Sequence, residues 1–279
     1  MIVDAHHHVW DPLRADYPWM TDEVASIRRP FTPDDLEPLL AANGVDATVL
    51  VQTRSSLEET REFLAIAAAT TFIRGVVGWV DLTDPGVGDA IAALREGPGG
   101  ELLVGIRHQV HDEPDPDWLL RDDVGEGIRA VREAGLVYDL LVRSRELPAA
   151  LTLARREPET RFVIDHIAKP PIQSGELQPW TDRIGAFAGL EHVACKVSGM
   201  VTEADWEHWR PADFAPYVDR VLEVFGPHRL LFGSDWPVCL LAAGYDQVIA
   251  LARDVLGGLD EDDTAAVFGG TATEVYRLG

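Results

Sequence analysis

Three consecutive histidines, residues 6 to 8, stand near the start of the chain within VDAHHHVW (3–10). They follow the short apolar stretch 2–5, which is typical of a buried strand and not of a purification tag with its polar linker. Side chains alternate across a strand, so Asp4, His6 and His8 are expected on one face and His7 on the other. Two imidazoles at positions i and i+2 can each place a nitrogen at about 2.0–2.1 Å from a shared zinc ion.

Two residues elsewhere in the chain could complete such a site. His166 ends the apolar run RFVIDH (161–166), and Asp235 ends RLLFGSD (229–235). Histidine and carboxylate side chains are ordinary zinc ligands. The same four groups also suit chemistry without a metal, in which imidazoles donate hydrogen bonds to a carbonyl and the carboxylate takes a proton from water. Both alternatives are open from these residues alone.

Strand-like runs alternate with helical patterns along the chain. The apolar, β-branched runs are 2–6, 46–53, 74–81, 102–108, 136–142, 161–166, 193–199 and 229–235. Most are continuously apolar, as expected for parallel strands buried on both faces. Helical stretches lie between them, such as TPDDLEPLLAANG, which begins at the capping residue Thr32 and ends at Gly44.

Eight strand–helix units in about 280 residues predict one (β/α)8 barrel spanning residues 1–279. A doubly wound open sheet is the alternative, but the glycines of EGPGGE (96–101) do not form the GxGxxG nucleotide fingerprint. The active site of a barrel lies at the C-terminal ends of its strands. The long segment from Trp10 to Phe31 follows the first strand, so residues 10–31 are predicted to form a lid over that end.

Polar and aromatic residues at the strand ends are the candidates for substrate binding. They are Trp10, Gln52, Arg107, His108, Lys169, Lys196 and Trp236. Arg107 and His108 could bind hydroxyls or a carboxylate, although Arg107 could instead pair with a neighbouring strand-end acid. Lys196 shares a strand face with Ser198, and a charge inside a strand needs a partner or a ligand.

Composition limits the class of protein. The net charge of −23 disfavours nucleic acid and anionic membranes as partners. No window approaches the roughly 20 apolar residues of a membrane span. The start of the chain has no export signal, and the two cysteines, Cys195 and Cys239, make neither a CxxC motif nor a disulfide framework. A cytoplasmic location is expected, and the oligomeric state, including a homo-oligomer, stays open.

Five motifs together resemble the amidohydrolase superfamily. They are DAHHHVW (4–10), GIRHQVHDEPDPDWL (105–119), IDHIAKPP (164–171), CKVSGM (195–200) and LLFGSDWPV (230–238). The narrower motifs, RHQVHDEPDPDWL and DHIAKP, resemble the sugar-lactone hydrolases, a branch that includes L-fuconolactonases and L-rhamnonolactonases and has dicarboxypyrone lactonases as relatives. The resemblance extends to FGGTATEVYRL (268–278), which is similar to the terminal helix of that group and implies a C-terminal helical extension of the barrel.

The resemblance implies that His6, His8, His166 and Asp235 form the reaction centre and are also the ligands of any metal. Many members of the superfamily carry a metal-bridging lysine or glutamate on the fourth strand and a histidine on the fifth. Here the corresponding segments are Ile106-Arg107-His108 and Tyr138-Asp139-Leu140. The expected cofactor is therefore one divalent ion, zinc, or none.

The function that the resemblance implies is hydrolysis of a carboxylic ester, the ring ester of an aldono-1,4- or 1,5-lactone of the L-fucono or L-rhamnono type. Water would attack the lactone carbonyl, with Asp235 as general acid and base. The partner is then a small-molecule sugar lactone. A mononuclear zinc-dependent decarboxylase of the same superfamily is the alternative, and a non-catalytic barrel would leave the four clustered residues without a role.

Overall fold

Eight parallel strands form one sheet in the computed structural model, which describes all 279 residues. The strands are β1 (Val3–His7), β2 (Ala47–Val51), β3 (Ile73–Gly78), β4 (Leu103–His108), β5 (Val137–Leu140), β6 (Phe162–Ile164), β7 (Val193–Val197) and β8 (Leu230–Phe232). Each strand pairs with the one that follows it in the chain. The predicted (β/α)8 barrel is confirmed.

The barrel closes between β1 and the residues that follow β8. The backbone N–H of His8 donates to the carbonyl oxygen of Trp236 at 2.7 Å, and the N–H of Asp235 donates to the carbonyl oxygen of His6 at 2.8 Å. These bonds join the segment that carries His6 and His8 to the segment that carries Asp235. Closure of the barrel therefore brings the three side chains to one point at the C-terminal end of the strands.

Ten α-helices accompany the strands. They are α1 (Pro33–Asn43), α2 (Leu57–Ala69), α3 (Val87–Glu96), α4 (Asp122–Glu133), α5 (Leu147–Arg156), α6 (Trp180–Gly185), α7 (Pro211–Phe225), α8 (Tyr245–Val255), α9 (Glu261–Ala265) and α10 (Thr271–Tyr276). As predicted, α1 begins after Thr32 and ends at Gly44, whose φ of +67° suits glycine. No helix has both the length and the apolar character that crossing a membrane requires.

Small branched side chains fill the lower part of the barrel interior. Val49, Val51, Val77, Val137 and Val163 are buried there in one apolar cluster. The side chains of Ala272, Tyr276 and Leu278 belong to the same cluster. Helix α10 and Leu278, two residues beyond its end, therefore close the end of the barrel opposite the active site. Side chains of the predicted C-terminal helical extension thus pack into the barrel interior.

A β-bulge in β1 corrects one expectation. The pairing with β2 shifts between Asp4, opposite Thr48, and His7, opposite Leu50. Val3 and Ala5 therefore face the barrel interior, while Asp4 points outward, where its carboxylate accepts from the Tyr245 hydroxyl of α8 at 3.1 Å. The prediction that Asp4 shares a face with His6 is wrong, because the bulge inserts one residue into the alternation.

The segment between Trp10 and Phe31 contains one short 3₁₀ helix, Asp22–Ile27. Its ends are tied together by two backbone hydrogen bonds, from Trp10 N to Phe31 O at 3.1 Å and from Phe31 N to Trp10 O at 2.9 Å. The segment is therefore a loop with closed ends, attached beside the C-terminal end of β1. Its role as a lid stays a prediction.

Candidate active site

Three imidazoles surround one carboxylate oxygen at the C-terminal end of the barrel. The Nε2 atoms of His8, His6 and His166 lie 3.4, 3.7 and 3.9 Å from Oδ1 of Asp235. The Nε2 atoms of His6 and His8 are 3.2 Å apart. Each of the four residues is at most 4 % exposed. The structure brings together the four residues that the sequence proposes as a reaction centre.

The other nitrogen of each ring faces an oxygen atom of the protein. Nδ1 of His8 lies 2.7 Å from the carbonyl oxygen of Val51, and Nδ1 of His166 lies 2.8 Å from the hydroxyl of Ser198. Nδ1 of His6 faces Oδ1 of Asp165 at 3.5 Å. A carbonyl or carboxylate can only accept, so a neutral ring beside it carries its hydrogen on Nδ1 and its lone pair on Nε2. The Nε2 lone pair of His8 is thus directed at the space beside Asp235, and an Nδ1 hydrogen facing Asp165 would direct that of His6 there as well.

Burial controls the protonation of this centre. It lowers the pKa of His6 well below its usual value and lowers the pKa of His166 to about 4. Both rings are therefore neutral near pH 7. Burial acts to raise the pKa of Asp235, but the neighbouring His166 and His8 outweigh it, and the pKa lies below its usual value. Asp235 is consequently an ionised carboxylate that can accept a proton.

An unusual backbone conformation sets the positions of the His166 and Asp235 side chains. Residues His166 to Lys169 all have positive φ, between 47° and 60°, and so form a left-handed turn directly after β6. The φ of Asp235 is 57°. Such conformations cost about 1–2 kcal/mol per non-glycine residue. The indole N–H of Trp180 donates to the carbonyl oxygen of Ile167 at 2.8 Å and helps to hold the turn. Strain of this kind is concentrated at functional sites.

The donor set fits one divalent ion. Bonds of about 2.0–2.1 Å in a tetrahedral zinc site place ligand atoms roughly 3.3 Å apart. The distances among His6 Nε2, His8 Nε2 and Asp235 Oδ1, from 3.2 to 3.7 Å, match that spacing. Inward lone pairs suit a cation, whereas direct hydrogen bonding to a carbonyl would need inward N–H groups. These three residues, with His166 beside them, are the ones that would hold a zinc ion.

Three of the residues predicted to bind substrate lie inside the barrel, where their side chains contact charged side chains of the protein. Arg107 donates to Asp165 Oδ2 at 2.9 Å and to Gln52 Oε1 at 2.8 Å. Lys196 lies 2.6 Å from Asp139 Oδ2 and 2.9 Å from Asp165 Oδ1. Arg107 thus forms a salt bridge with an acid at the end of a neighbouring strand, which is the alternative to substrate binding that the sequence analysis gave for it. A substrate role for Gln52, Arg107 and Lys196 stays a prediction.

Two other residues predicted to bind substrate lie at the rim of the active-site end of the barrel, where their side chains are partly exposed. Lys169 Nζ is 2.8 Å from Oε1 of Glu203. Nε2 of His108 is 2.7 Å from Glu113, and its ring stacks on Trp118 with the centroids 4.4 Å apart. Lys169 and Lys196 are the only lysines of the chain, and both are in or next to the site.

The two predicted tryptophans are buried beside the centre. The ring of Trp10 stacks near His8, with the centroids 6.3 Å apart, and its indole N–H donates to the carbonyl oxygen of Arg29 at 3.0 Å. Trp236 meets Phe31 edge to face at 5.3 Å. Trp10, at one end of the 10–31 segment, thus faces His8, and Phe31, at the other end, faces Trp236.

Sequence reasoning missed three buried polar residues of the site: Asp139, Asp165 and Tyr276. A signal existed for Asp165, which is two residues beyond the inward-facing Val163 and directly precedes His166. The same alternation places Asp139 two residues beyond the inward-facing Val137. No comparable signal exists for Tyr276, which reaches Asp139 from α10 at the opposite end of the barrel, with the oxygens 2.7 Å apart.

Known proteins resemble this chain over its whole length. The amidohydrolase family matches residues 3–278. An L-fucono-1,5-lactonase of Burkholderia ambifaria is 41% identical over 280 residues, which cover 99% of this chain and 95% of that protein. An L-fucono-1,5-lactonase of Burkholderia multivorans is 38% identical over 287 residues, covering 99% and 96%. A solved structure of an amidohydrolase from Burkholderia multivorans with bound zinc has a TM-score of 0.94 and 37% identity, with both chains covered completely.

Proposed function

Because the chain belongs to the amidohydrolase family, we propose that it hydrolyses a sugar lactone of the L-fucono or L-rhamnono type to the aldonic acid. The substrate is a 1,4- or 1,5-lactone, and the enzyme is a hydrolase of carboxylic ester bonds. The observation that carries the proposal is the buried Asp235 carboxylate, with the Nε2 atoms of His6, His8 and His166 between 3.4 and 3.9 Å from its Oδ1. The two lactonases with about 40% identity over nearly the full length support the same reaction.

Asp235 is the proton carrier of the proposed reaction. Its carboxylate accepts a proton from water as the water oxygen bonds to the lactone carbonyl carbon. When the tetrahedral intermediate collapses, the bond between that carbon and the ring oxygen breaks, and Asp235 returns the proton to the departing ring oxygen. The carboxylic acid that forms then ionises and releases one proton to solvent. General acid–base catalysis of this kind contributes about 10²–10⁴ in rate.

The histidines provide ligand atoms for a metal ion, and the protein fixes the orientation of their rings. His6, His8 and Asp235 would hold a zinc ion, which would supply a Lewis acid for the lactone carbonyl oxygen. The protein contacts at Nδ1 of His6, His8 and His166 orient the rings, so that no ring must turn before reaction.

Entry of a lactone requires movement, because the four central residues are at most 4 % exposed. The 10–31 segment is the part of the chain that we assign to this movement. Trp10 and Phe31 join its two ends and contact His8 and Trp236, so displacement of the segment would uncover the centre. Its closure would exclude water other than the nucleophile.

A pH-indicator assay over five- and six-membered aldonolactones, with a pyrone dicarboxylate included, tests the proposal. Acid release from a sugar lactone is expected, and Asp235→Asn should lower kcat by about 10²–10⁴. Circular dichroism of the variant should be unchanged, since the amide keeps the size of the carboxylate. Absence of acid release from every lactone, with or without added zinc, would overturn the proposal. A decarboxylase would instead release carbon dioxide from an aromatic carboxylic acid.

A further inference from the structure

Four charged side chains fill the barrel interior next to His6: Arg107, Asp139, Asp165 and Lys196. We call them the ionic floor. Each is at most 3 % exposed, and they come from β4, β5, the end of β6 and β7. Two cations face two carboxylates, so the set is neutral when all are ionised. The reaction proposed above uses none of these charges directly, yet burying unpaired charges would be costly.

Lys196 is at the centre of the ionic floor. Its ammonium lies 2.6 Å from Asp139 Oδ2, 2.9 Å from Asp165 Oδ1 and 3.3 Å from Nδ1 of His6. An ammonium can only donate hydrogen bonds, and the acceptor atoms in its reach are the two carboxylate oxygens and Nδ1 of His6. Lys196 thereby holds Asp165 Oδ1 beside the His6 ring and offsets the repulsion between the two carboxylates.

The surroundings of His6 determine which of its nitrogens carries hydrogen. Nη1 of Arg107 lies 3.3 Å from Nε2 of His6, and a guanidinium can only donate. On the other side of the ring, Nδ1 faces both the acceptor Oδ1 of Asp165 at 3.5 Å and the Lys196 ammonium at 3.3 Å. Because an ammonium is attracted more strongly to two carboxylates than to a neutral ring, we assign the hydrogen to Nδ1 and the lone pair to Nε2, which points towards Asp235.

The C-terminal helix anchors the ionic floor from the opposite end of the barrel. The hydroxyl of Tyr276 donates to Asp139, with its oxygen 2.7 and 2.9 Å from the two carboxylate oxygens. Tyr276 is buried, and its ring lies 5.4 Å from the Lys196 ammonium. A continuous series of contacts thus runs from Tyr276 through Asp139, Lys196 and Asp165 to His6.

We propose that Lys196, anchored by Asp139 and Tyr276, is a positioning residue: it holds Asp165 against Nδ1 of His6 and so keeps the Nε2 lone pair directed at the reaction centre. The kinetic consequence rests on the proposed lactonase function, but the structural consequence does not. Lys196 is fully buried behind His6, and the role proposed for it is exerted through that ring.

Lys196→Met removes the ammonium and keeps the length of the side chain. It should lower kcat by about 10- to 100-fold and leave KM within about twofold, as for other residues that support a metal-binding histidine. Zinc affinity, measured by competition with a chelator, should fall by a similar factor. In ¹⁵N NMR of histidine-labelled protein, the His6 signals should change from the Nδ1–H tautomer to a mixture.

The double variant Lys196→Met/Asp139→Asn separates positioning from charge balance, because it removes one charge of each sign. We expect its thermal stability to recover towards that of the wild type, while kcat and the His6 tautomer do not recover. Recovery of both would overturn the proposal, since Lys196 would then only compensate Asp139. A wild-type tautomer in the single variant would overturn it as well. If the single variant does not fold, the double variant decides.

Tyr276→Phe tests the anchor, and Tyr138→Phe is its matched control. Both hydroxyls are buried, but that of Tyr138 has no hydrogen-bond partner. Only Tyr276→Phe should lower kcat and zinc affinity, by less than Lys196→Met does. Equal effects of the two substitutions would contradict the anchoring role. If the wild type hydrolyses no lactone, the proposed function fails, and zinc affinity and the NMR signals still decide this proposal.

Discussion

Lys196 of β7 and Ser198, which directly follows this strand, support two different histidines. The Ser198 hydroxyl lies 2.8 Å from Nδ1 of His166, and the Lys196 ammonium lies 3.3 Å from Nδ1 of His6. Their side chains point the same way because they are two residues apart in the extended chain at the end of β7. The end of β7 thus orients two of the three imidazoles around Asp235, although it contributes no ligand of its own.

Ser198→Ala should weaken the orientation of His166. The ring loses the partner of its Nδ1, so it can rotate and no longer presents Nε2 to Asp235 in one position. We expect kcat for lactone hydrolysis to fall by about 10- to 100-fold with little change in KM. Ser174→Ala, at an exposed serine whose hydroxyl donates to the Pro171 carbonyl oxygen and accepts from the Glu176 N–H, is the control. A kcat equal to that of the control would contradict the role given to Ser198.

Gly199→Ala should displace His166 by direct contact. A Cβ atom at this position would lie 2.5 Å from Nδ1 of His166, well below a normal contact distance. Gly175→Ala is a matched control, because Gly175 also has positive φ, 69° against 59°, but has no atom within 4 Å of such a Cβ. Each substitution should cost about 1 kcal/mol of unfolding free energy from backbone strain, measured with urea.

The two glycine variants should then differ in activity. Gly199→Ala is expected to lower kcat by at least tenfold and to cost additional stability, since the buried ring must move. Gly175→Ala should keep the wild-type kcat. Similar activities of the two variants would mean that the close approach of Gly199 to His166 is not needed for catalysis.

Lys169→Met should affect substrate binding more than turnover. Lys169 ends the left-handed turn that begins at His166 and is paired with Glu203 at the rim. If its ammonium also donates to a lactone hydroxyl, its loss should raise KM about tenfold, which corresponds to about 1.4 kcal/mol for a charged hydrogen bond. Glu203→Gln removes the partner and keeps the lysine, so KM should change less. A fall in kcat at constant KM would contradict a binding role.

The positions of the four central residues could be predicted because each depends on local sequence. His6, His8, His166 and Asp235 stand at the ends of apolar runs, and parallel strands of a barrel end at the same edge. Side-chain direction was less predictable. Strict alternation placed Asp4 on the same strand face as His6. The bulge that breaks this alternation is a feature of the pairing between β1 and β2, and the sequence of β1 alone does not encode it.

The ionic floor shows why the rest of the site could not be predicted. Asp139 and Asp165 have inward positions in their strands, yet their partners are Lys196, Arg107 and Tyr276, from other parts of the chain. Tyr276 is 137 residues from Asp139 and belongs to the helix that closes the opposite end of the barrel. Only the packing of α10 into the barrel brings the two together.

His7 should make the protein sensitive to acid. Its ring points away from the reaction centre, with Nε2 2.9 Å from the Thr48 hydroxyl, and burial lowers its pKa to about 3. An unfolded histidine has a pKa of about 6.5. Between these values the unfolded chain binds a proton at His7 that the folded protein does not. Stability therefore falls as the pH falls from about 6.5 towards 3, by up to about 1.4 kcal/mol per pH unit for this residue.

His7→Gln keeps an amide that can hydrogen bond to Thr48 and removes the titrating group. We expect the variant to lose stability less steeply than the wild type between pH 6.5 and 4, as measured by urea unfolding at a series of pH values. The difference in slope should approach one proton at the lower end of this range. His228→Gln, at a histidine whose side chain is 73% exposed and lies 3.2 Å from Asp263, is the control for the removal of an exposed imidazole. Parallel curves for wild type and His7→Gln would show that His7 takes up its proton in the folded protein, against the effect expected from its burial.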